Sequence, residues 1–527
     1  MLTARPEEQG RAPRQNTPAL AAVRSGAREP RVGKARPCVH GRRSGLRSGP
    51  SWAWLVVCLW AGQAFAAPPP VTVPVDPASF EAGAGATGPL GFLDGISRSG
   101  YMLGDMWGLR TFLSRYGMSF AVQETSELLG NVSGGARTGF AYDGLTQMIL
   151  QLDTQRAFGL YGGLFNVSAL QIHGNNLSAE NLLTLQTASG IEADRATRLW
   201  ELWYQQKFLT EDRLDIKIGQ QSLDQEFIVS QNALLFVNTM FGWPMLPSAD
   251  LPGGGPAYPL SALGVRVRAR PTDSLTFLAG VFNGSPAPNN MGDSQQTNPS
   301  GTSFPLNGRV LAIAEMQYAY PSLGTMLYAD QAEPLPRVYK LGFWYDSEDF
   351  ASQDVDNTGL SLANPASTGI PKMYHGNYSI YAVADQMVWQ DPAEADRTLN
   401  VFVRAMGTQW ADRNLINFSL NAGLTFHEPF LHRDDDTFGI GMGYTHVSSS
   451  VSALDRQTAY YTGAFTPVRS GEAFVEVTYQ YQVTPWWQIQ PDFQYVFNPG
   501  AGVANPNMPN ERVKNEAVIG IRTNITF

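Results

Sequence analysis

From Met118 to Phe527 the chain consists of sixteen segments in which apolar and polar residues alternate with period two, each bounded by turn residues. The last one is the clearest. Within 515–527, Ala517, Ile519, Ile521, Ile525 and Phe527 fall on one face together with Thr523. Gly520, Arg522, Asn524 and Thr526 fall on the other, with Val518 the one apolar intruder. One face suits lipid and the other suits water, over the roughly ten residues that a tilted strand needs to cross a bilayer. A single strand in lipid leaves its backbone groups unpaired, so a membrane reading requires the rest of the chain to close a barrel around it.

The other fifteen segments are 118–127, 146–153, 164–172, 199–208, 214–220, 263–269, 275–282, 310–318, 339–346, 378–389, 398–405, 415–426, 437–446, 473–483 and 487–496. In 199–208, Trp200, Leu202, Tyr204 and Phe208 oppose Glu201, Trp203, Gln205 and Lys207. In 339–346, Tyr339, Leu341, Phe343 and Tyr345 oppose Lys340, Gly342, Trp344 and Asp346. Alternation alone fits a soluble sandwich equally well. Two further features separate the two readings. Tyr345, Trp487, Tyr495 and Phe497 lie near strand ends on the apolar face, as an interfacial girdle requires. Tight connections at 209–213, 270–274 and 484–486 also alternate with long ones at 173–198, 221–262, 283–309, 347–377 and 447–472. That rhythm is expected of an all-β fold, a sixteen-stranded antiparallel transmembrane β-barrel with short periplasmic turns and long external loops. The connection 319–338 is longer than a periplasmic turn should be. A barrel of this strand number encloses an aqueous lumen.

Charge and cysteine divide the chain in the same way. Residues 1–66 hold 11 Lys+Arg against 3 Asp+Glu, a net of +8, whereas 67–527 hold 26 against 43, a net of −17. An acidic body argues against nucleic acid as a partner. Cys38 and Cys58 both lie before residue 67, so disulfides, zinc fingers and thiol catalysis are excluded from the body. Arg42, Arg43 and Arg47, then the apolar run 52–66 ending in Ala64-Phe65-Ala66, follow the order of a secretory signal cleaved after Ala66. Three segments are therefore expected: a basic leader with signal peptide at 1–66, a Pro/Gly-rich linker and short helix at 67–117, and the barrel at 118–527.

Channel chemistry belongs to the polar face and to any loop entering the lumen. The third external connection, 221–262, is expected to narrow the pore, with Asp224 and Glu226 near its start. Wall candidates are Glu201, Trp203, Lys207, Asp215, Lys217, Arg266, Arg268, Lys340, Trp344, Arg404, Glu476, Arg522 and Asn524. Charges of both signs suit a neutral, hydroxylated solute, and indole faces can cover the C–H face of a sugar ring. No metal or cofactor is expected; 433–436 lacks the ligand spacing of a calcium loop.

Several stretches resemble the carbohydrate-selective porin (OprB) family of Gram-negative outer membranes. They are Gly104-Asp-Met-Trp-Gly-Leu-Arg110, Glu127-Leu-Leu-Gly-Asn-Val-Ser133, Ile172-His-Gly-Asn-Asn-Leu-Ser178, Arg198-Leu-Trp-Glu-Leu-Trp203, residues 376–386, 411–415 and 433–436, and Thr484-Pro-Trp-Trp-Gln-Ile-Gln-Pro-Asp492. The resemblance runs from about residue 100 to the end and does not cover 1–66. It departs at Met106, where a more compact Trp-Gly-Gly pattern is expected. It implies passive diffusion of glucose and related sugars without an enzymatic step. It also implies residence in the outer membrane, with lipid and lipopolysaccharide as surroundings. Phe527 becomes an assembly signal read by the barrel-assembly machinery. Homotrimer and monomer both stay open. The alternatives are a general or anion-favouring porin and, in another class, a barrel enzyme, for which no Ser/His/Asp grouping stands out.

Overall fold

The computed structural model describes residues 100–288, 293–321, 334–430 and 433–527. The leader, the linker up to residue 99 and 322–333 of the long connection lie outside the described residues. The strands are β1 (Met118–Gly135), β2 (Gly139–Asp153), β3 (Gly163–Gly174), β4 (Ala196–Phe208), β5 (Leu214–Gln221), β6 (Ala262–Ala269), β7 (Leu275–Asn283), β8 (Val310–Tyr320), β9 (Arg337–Asp356), β10 (Pro371–Gln390), β11 (Thr398–Gly407), β12 (Ile416–His427), β13 (Thr437–Val447), β14 (Gly471–Thr484), β15 (Trp487–Phe497), β16 (Ala504–Asn505), β17 (Met508–Arg512) and β18 (Lys514–Thr526). β16 and β17 form a small hairpin within the last loop. The other sixteen form a closed antiparallel barrel in which each pairs with its chain neighbour, and β18 closes on β1 from Gln123↔Thr526 to Gly135↔Lys514. Closure pairs every strand edge, so no backbone row faces lipid unsatisfied.

The expected side-chain division is observed. Leu341, Phe343, Val403, Ile440 and Met442 are exposed on the outside, whereas Lys340, Trp344, Arg404 and Glu476 are buried within. Pairing of β8 with β9 continues down to Tyr320↔Arg337, so the register holds on both sides of the long connection. The structure departs from the expected loop at 347–377. β9 and β10 run on as a paired hairpin to Pro371↔Asp356. Here burial still alternates, with Glu348, Phe350 and Ser352 buried. Both faces are largely polar at this height, so the apolar period that marks a lipid-facing strand is missing although the pairing persists.

A short helix, α1 (Leu109–Ser114), precedes β1. Gly117 turns the chain into the strand at φ +74°, where a Cβ would lie 2.6 Å from the Asp153 carbonyl oxygen. Arg110 of α1 donates to the Phe120 carbonyl at 2.7 Å and to that of Phe527. Its guanidinium lies 4.5 Å from the Tyr101 ring centroid. The Met102 N–H donates to the Thr526 carbonyl at 2.8 Å. The segment before the barrel therefore spans the seam between first and last strands.

Candidate functional site in the barrel lumen

The connection between β5 and β6, loop 3, folds into the barrel. Phe227, Phe236, Phe241 and Leu246 are completely or almost completely buried, although they belong to no barrel strand. The far wall has room for them because it carries glycine at the contact. A Cβ on Gly439 would lie 2.6 Å from Leu235 Cδ2, and one on Gly441 would lie 2.5 Å from Phe241 Cζ. Phe236 and Phe241 stack at 4.4 Å, and Phe402 and Phe474 meet them edge-on or tilted.

Inward-pointing polar side chains of the wall satisfy the loop backbone. Glu315 of β8 accepts from Ile228 N–H at 2.8 Å, and Lys340 of β9 donates to the Val229 carbonyl at 2.7 Å. Asp385 of β10 accepts from Ser230 Oγ at 2.6 Å. Arg404 of β11 donates to the carbonyls of Ile228, Phe241 and Gly242, each at 3.0 Å, and to that of Met240. Glu476 of β14 accepts from the N–H groups of Val237 at 2.6 Å and Asn238 at 3.0 Å. Arg522 of β18 pairs with Glu127 of β1 at 2.6 Å and reaches the Val237 carbonyl. A buried backbone without partners would be costly, and these groups remove that cost. Ile228 sits at φ +65°, strained for a β-branched residue and held by its anchored N–H and carbonyl. The second external loop enters alongside: Glu472 of β14 accepts from Leu185 N–H at 2.8 Å and Gln186 N–H at 2.7 Å, and Gly190 N–H donates to the Val237 carbonyl.

A different arrangement occupies the β4–β6 wall, where loop 3 begins. Register sets Lys207 opposite Asp215 and Asp215 opposite Arg268, while Lys217 stands opposite Arg266. Arg268 Nε lies 2.6 Å from Asp215 Oδ2, and Arg266 pairs with Asp215 as well. From loop 3, Glu226 comes down onto this ladder. Arg266 Nε lies 2.6 Å from its Oε2, and Lys217 pairs with it too, placing its ammonium 4.4 Å from the Trp203 ring centroid. Lys207 pairs with Asp212 at 2.9 Å. Glu201 accepts from Ser222 N–H at 3.1 Å and so fixes the loop's first turn. Burial pushes the Glu226 carboxyl up, but Lys217 and Arg266 outweigh it and hold the group down at about 2. Arg268 and Glu226 keep 38 % and 20 % of their side-chain surface, against 1 % for Asp215.

The fifteen lumen candidates separate by position, Asp215 and Lys217 standing in the ladder just described. Glu201, Trp203, Lys207, Glu226, Arg266 and Arg268 come together on the β4–β6 wall. Lys340, Trp344, Arg404, Glu476 and Arg522 lie beneath loop 3, and Trp344 is 1 % exposed. Asp224 is buried within the loop, accepting from Ser222 Oγ and Tyr258 N–H. Asn524 belongs to a band of amides and hydroxyls, accepting from Thr125 Oγ1 at 2.8 Å and donating to Gln488. Phe527 donates its N–H to the Val122 carbonyl at 2.9 Å, at the seam. Sequence reasoning missed Asp385, Glu315, Glu472 and the second loop. The signal for Asp385 was present, because alternation in β10 puts it on the polar face.

The sequence profile of the carbohydrate-selective porin, OprB family, matches residues 137–527. The chain belongs to this family. It is a porin of the Gram-negative outer membrane that allows carbohydrate-selective diffusion through its lumen. Porin B of Pseudomonas aeruginosa is 25 % identical over 456 residues, covering 81 % of this chain and 92 % of that protein. The high-pH structure of Pseudomonas putida OprB superposes with a TM-score of 0.68 at 22 % identity, covering 81 % of this chain and 99 % of that one. The structural likeness shows that the sixteen-stranded barrel is the family's fold.

Proposed function

We propose that the solutes are glucose and related neutral sugars, and that selection takes place where loop 3 meets the β4–β6 ladder. The observation that carries this reading is the charge balance of that wall. Lys207, Lys217, Arg266 and Arg268 stand among Glu201, Asp212, Asp215 and Glu226, nearly all in direct ion pairs. An ion of either sign meets no net attraction there, whereas a polyol meets donors and acceptors side by side. Trp203 lies behind them, buried and with the Lys217 ammonium over its ring. The groups under loop 3 hold the constriction in shape. An anion-favouring porin would need an excess of unpaired cations at this point. The ladder can be turned into one by a single change: Glu226→Gln leaves Arg266 and Lys217 short of one carboxylate. In planar bilayers the unaltered protein should give a conductance that falls as glucose is added. Glu226→Gln should shift the zero-current potential toward anion preference and weaken the glucose effect. Unchanged ion preference together with glucose-insensitive conductance would overturn the reading.

A further inference from the structure

The barrel wall is low over β5, β6 and β7. These strands have 8, 8 and 9 residues, against 13 in β4 and 20 in β9. At the tilt of porin strands, that length rises through about 20 Å, less than an apolar belt of about 25 Å. The fourth external connection, between β7 and β8 and here loop 4, makes up the missing height. Leu199 N–H, on β4 beyond its last β5 partner, donates to the Ser300 carbonyl at 2.9 Å. Gln220 at the end of β5 donates its amide N–H to the Gly301 carbonyl at 3.0 Å, and Asn283 at the end of β7 donates to that of Pro305. Irregular backbone is thereby held on the strand ends with its carbonyls satisfied, as the depth of a bilayer demands. Phe304 and Leu306, on either side of Pro305, stay 42 % and 78 % exposed.

Next to this segment, on the lipid side, the external ends of β5–β8 enclose a groove of about 320 Å³. Ile218, Leu263, Val265, Val281 and Val310 line it, with Asn283 at the loop 4 end. Register puts Ile218, Val265, Val281 and Ala312 in one outward row between Tyr204 of β4 and Tyr345 of β9. Short aliphatic side chains thus stand between two longer aromatic ones, which is why the surface is hollow there. The lining holds no charged group, and its one amide is already bonded to loop 4. A hollow in such a surface loses dispersion contacts unless a flexible aliphatic chain fills it. The lipid-facing belt runs into the groove without a break, through exposed Val267, Phe277 and Met316. Its place at the external strand ends opens it to the outer leaflet, whose lipid is lipopolysaccharide. We propose that the groove binds one acyl chain of lipopolysaccharide, with loop 4 as its rim. Packing into the hollow holds the chain, because there is no water to expel between two apolar phases.

Lipid retention by the folded protein tests this. Barrels extracted from outer membranes in mild detergent should carry lipopolysaccharide, read by native mass spectrometry and by its hydroxy fatty acids. Val281→Trp, and separately Val265→Trp on the neighbouring strand, put an indole into the groove and should lose that lipid. Val403→Trp, on the exposed lipid face of β11, should keep it. Heat-modifiable migration identifies the variants that have folded, and only those are compared. Delipidated protein offered lipopolysaccharide in detergent should take it up again, and the groove-filled barrels should not. Retention in the groove-filled variants equal to that in the unaltered protein would overturn the proposal. So would equal loss in Val403→Trp, or an unaltered barrel that holds phospholipid and no lipopolysaccharide.

Discussion

Arg404 is 1 % exposed and meets four carbonyls of loop 3 through one guanidinium. Arg404→Ala leaves each of them short of a donor, at about 1–3 kcal/mol for every acceptor that stays dry. The loop is expected to loosen, so single-channel records should show larger and noisier openings while the barrel still assembles. Glu226 behaves differently because its charge is compensated. Its carboxyl is held at about 2, below its ordinary 4.5. A depressed carboxylate contributes stability that is fully present above the ordinary value and is lost as pH falls through the native one. The part of the conductance that depends on Glu226 should therefore hold from neutral pH down to 4.5 and change between there and about 2. Single-channel records of the unaltered protein and Glu226→Gln across that window check the sign; a difference between the two that disappears above pH 4.5 would contradict it.

At the scale of the element, the loop and the wall behind it fit as a pair. β13 presents Gly439 and Gly441 where Leu235, Phe236 and Phe241 press against it. Gly441→Val pushes at least two methyl groups into space that Phe241 fills, and overpacking of this kind costs about 1–3 kcal/mol. Loop 3 is expected to move off the wall, giving higher conductance and faster protease cleavage within 222–261. Unchanged records on both counts would remove these glycines from the account. The same elements show what was legible in the sequence. Strand centres such as 339–346 could be read because one face meets lipid and the other water. The upper half of β9 could not, since beyond 347 both faces are largely polar although burial still alternates. Loop 3 was legible as a long insertion near the constriction. Its destination was not, because a polar inward residue looks the same whether it binds water, as along an open lumen, or the loop backbone, as Arg404 and Glu476 do. Long-range register, which sets Asp215 between Lys207 and Arg268, is likewise absent from any one strand.

For the whole molecule, the barrel resolves two opposite demands. Its outside must be apolar for lipid, and its inside must be polar enough to pass a hydrated solute yet narrow enough to select. The far wall buries charged side chains against loop 3, and on the proposed reading the β4–β6 wall selects through balanced, partly exposed ion pairs. Both follow from the strict inside–outside alternation of sixteen strands closed at a seam that Arg110 and Met102 span. The central claim is that this lumen selects neutral sugars by paired charge and not by size alone. Liposome swelling with purified protein tests it most directly, using glucose and gluconate, which are close in size and differ in charge. Vesicles should swell much faster in isosmotic glucose than in gluconate, and Glu226→Gln should narrow the gap. Equal rates for the two solutes, or no swelling above protein-free vesicles, would contradict the account.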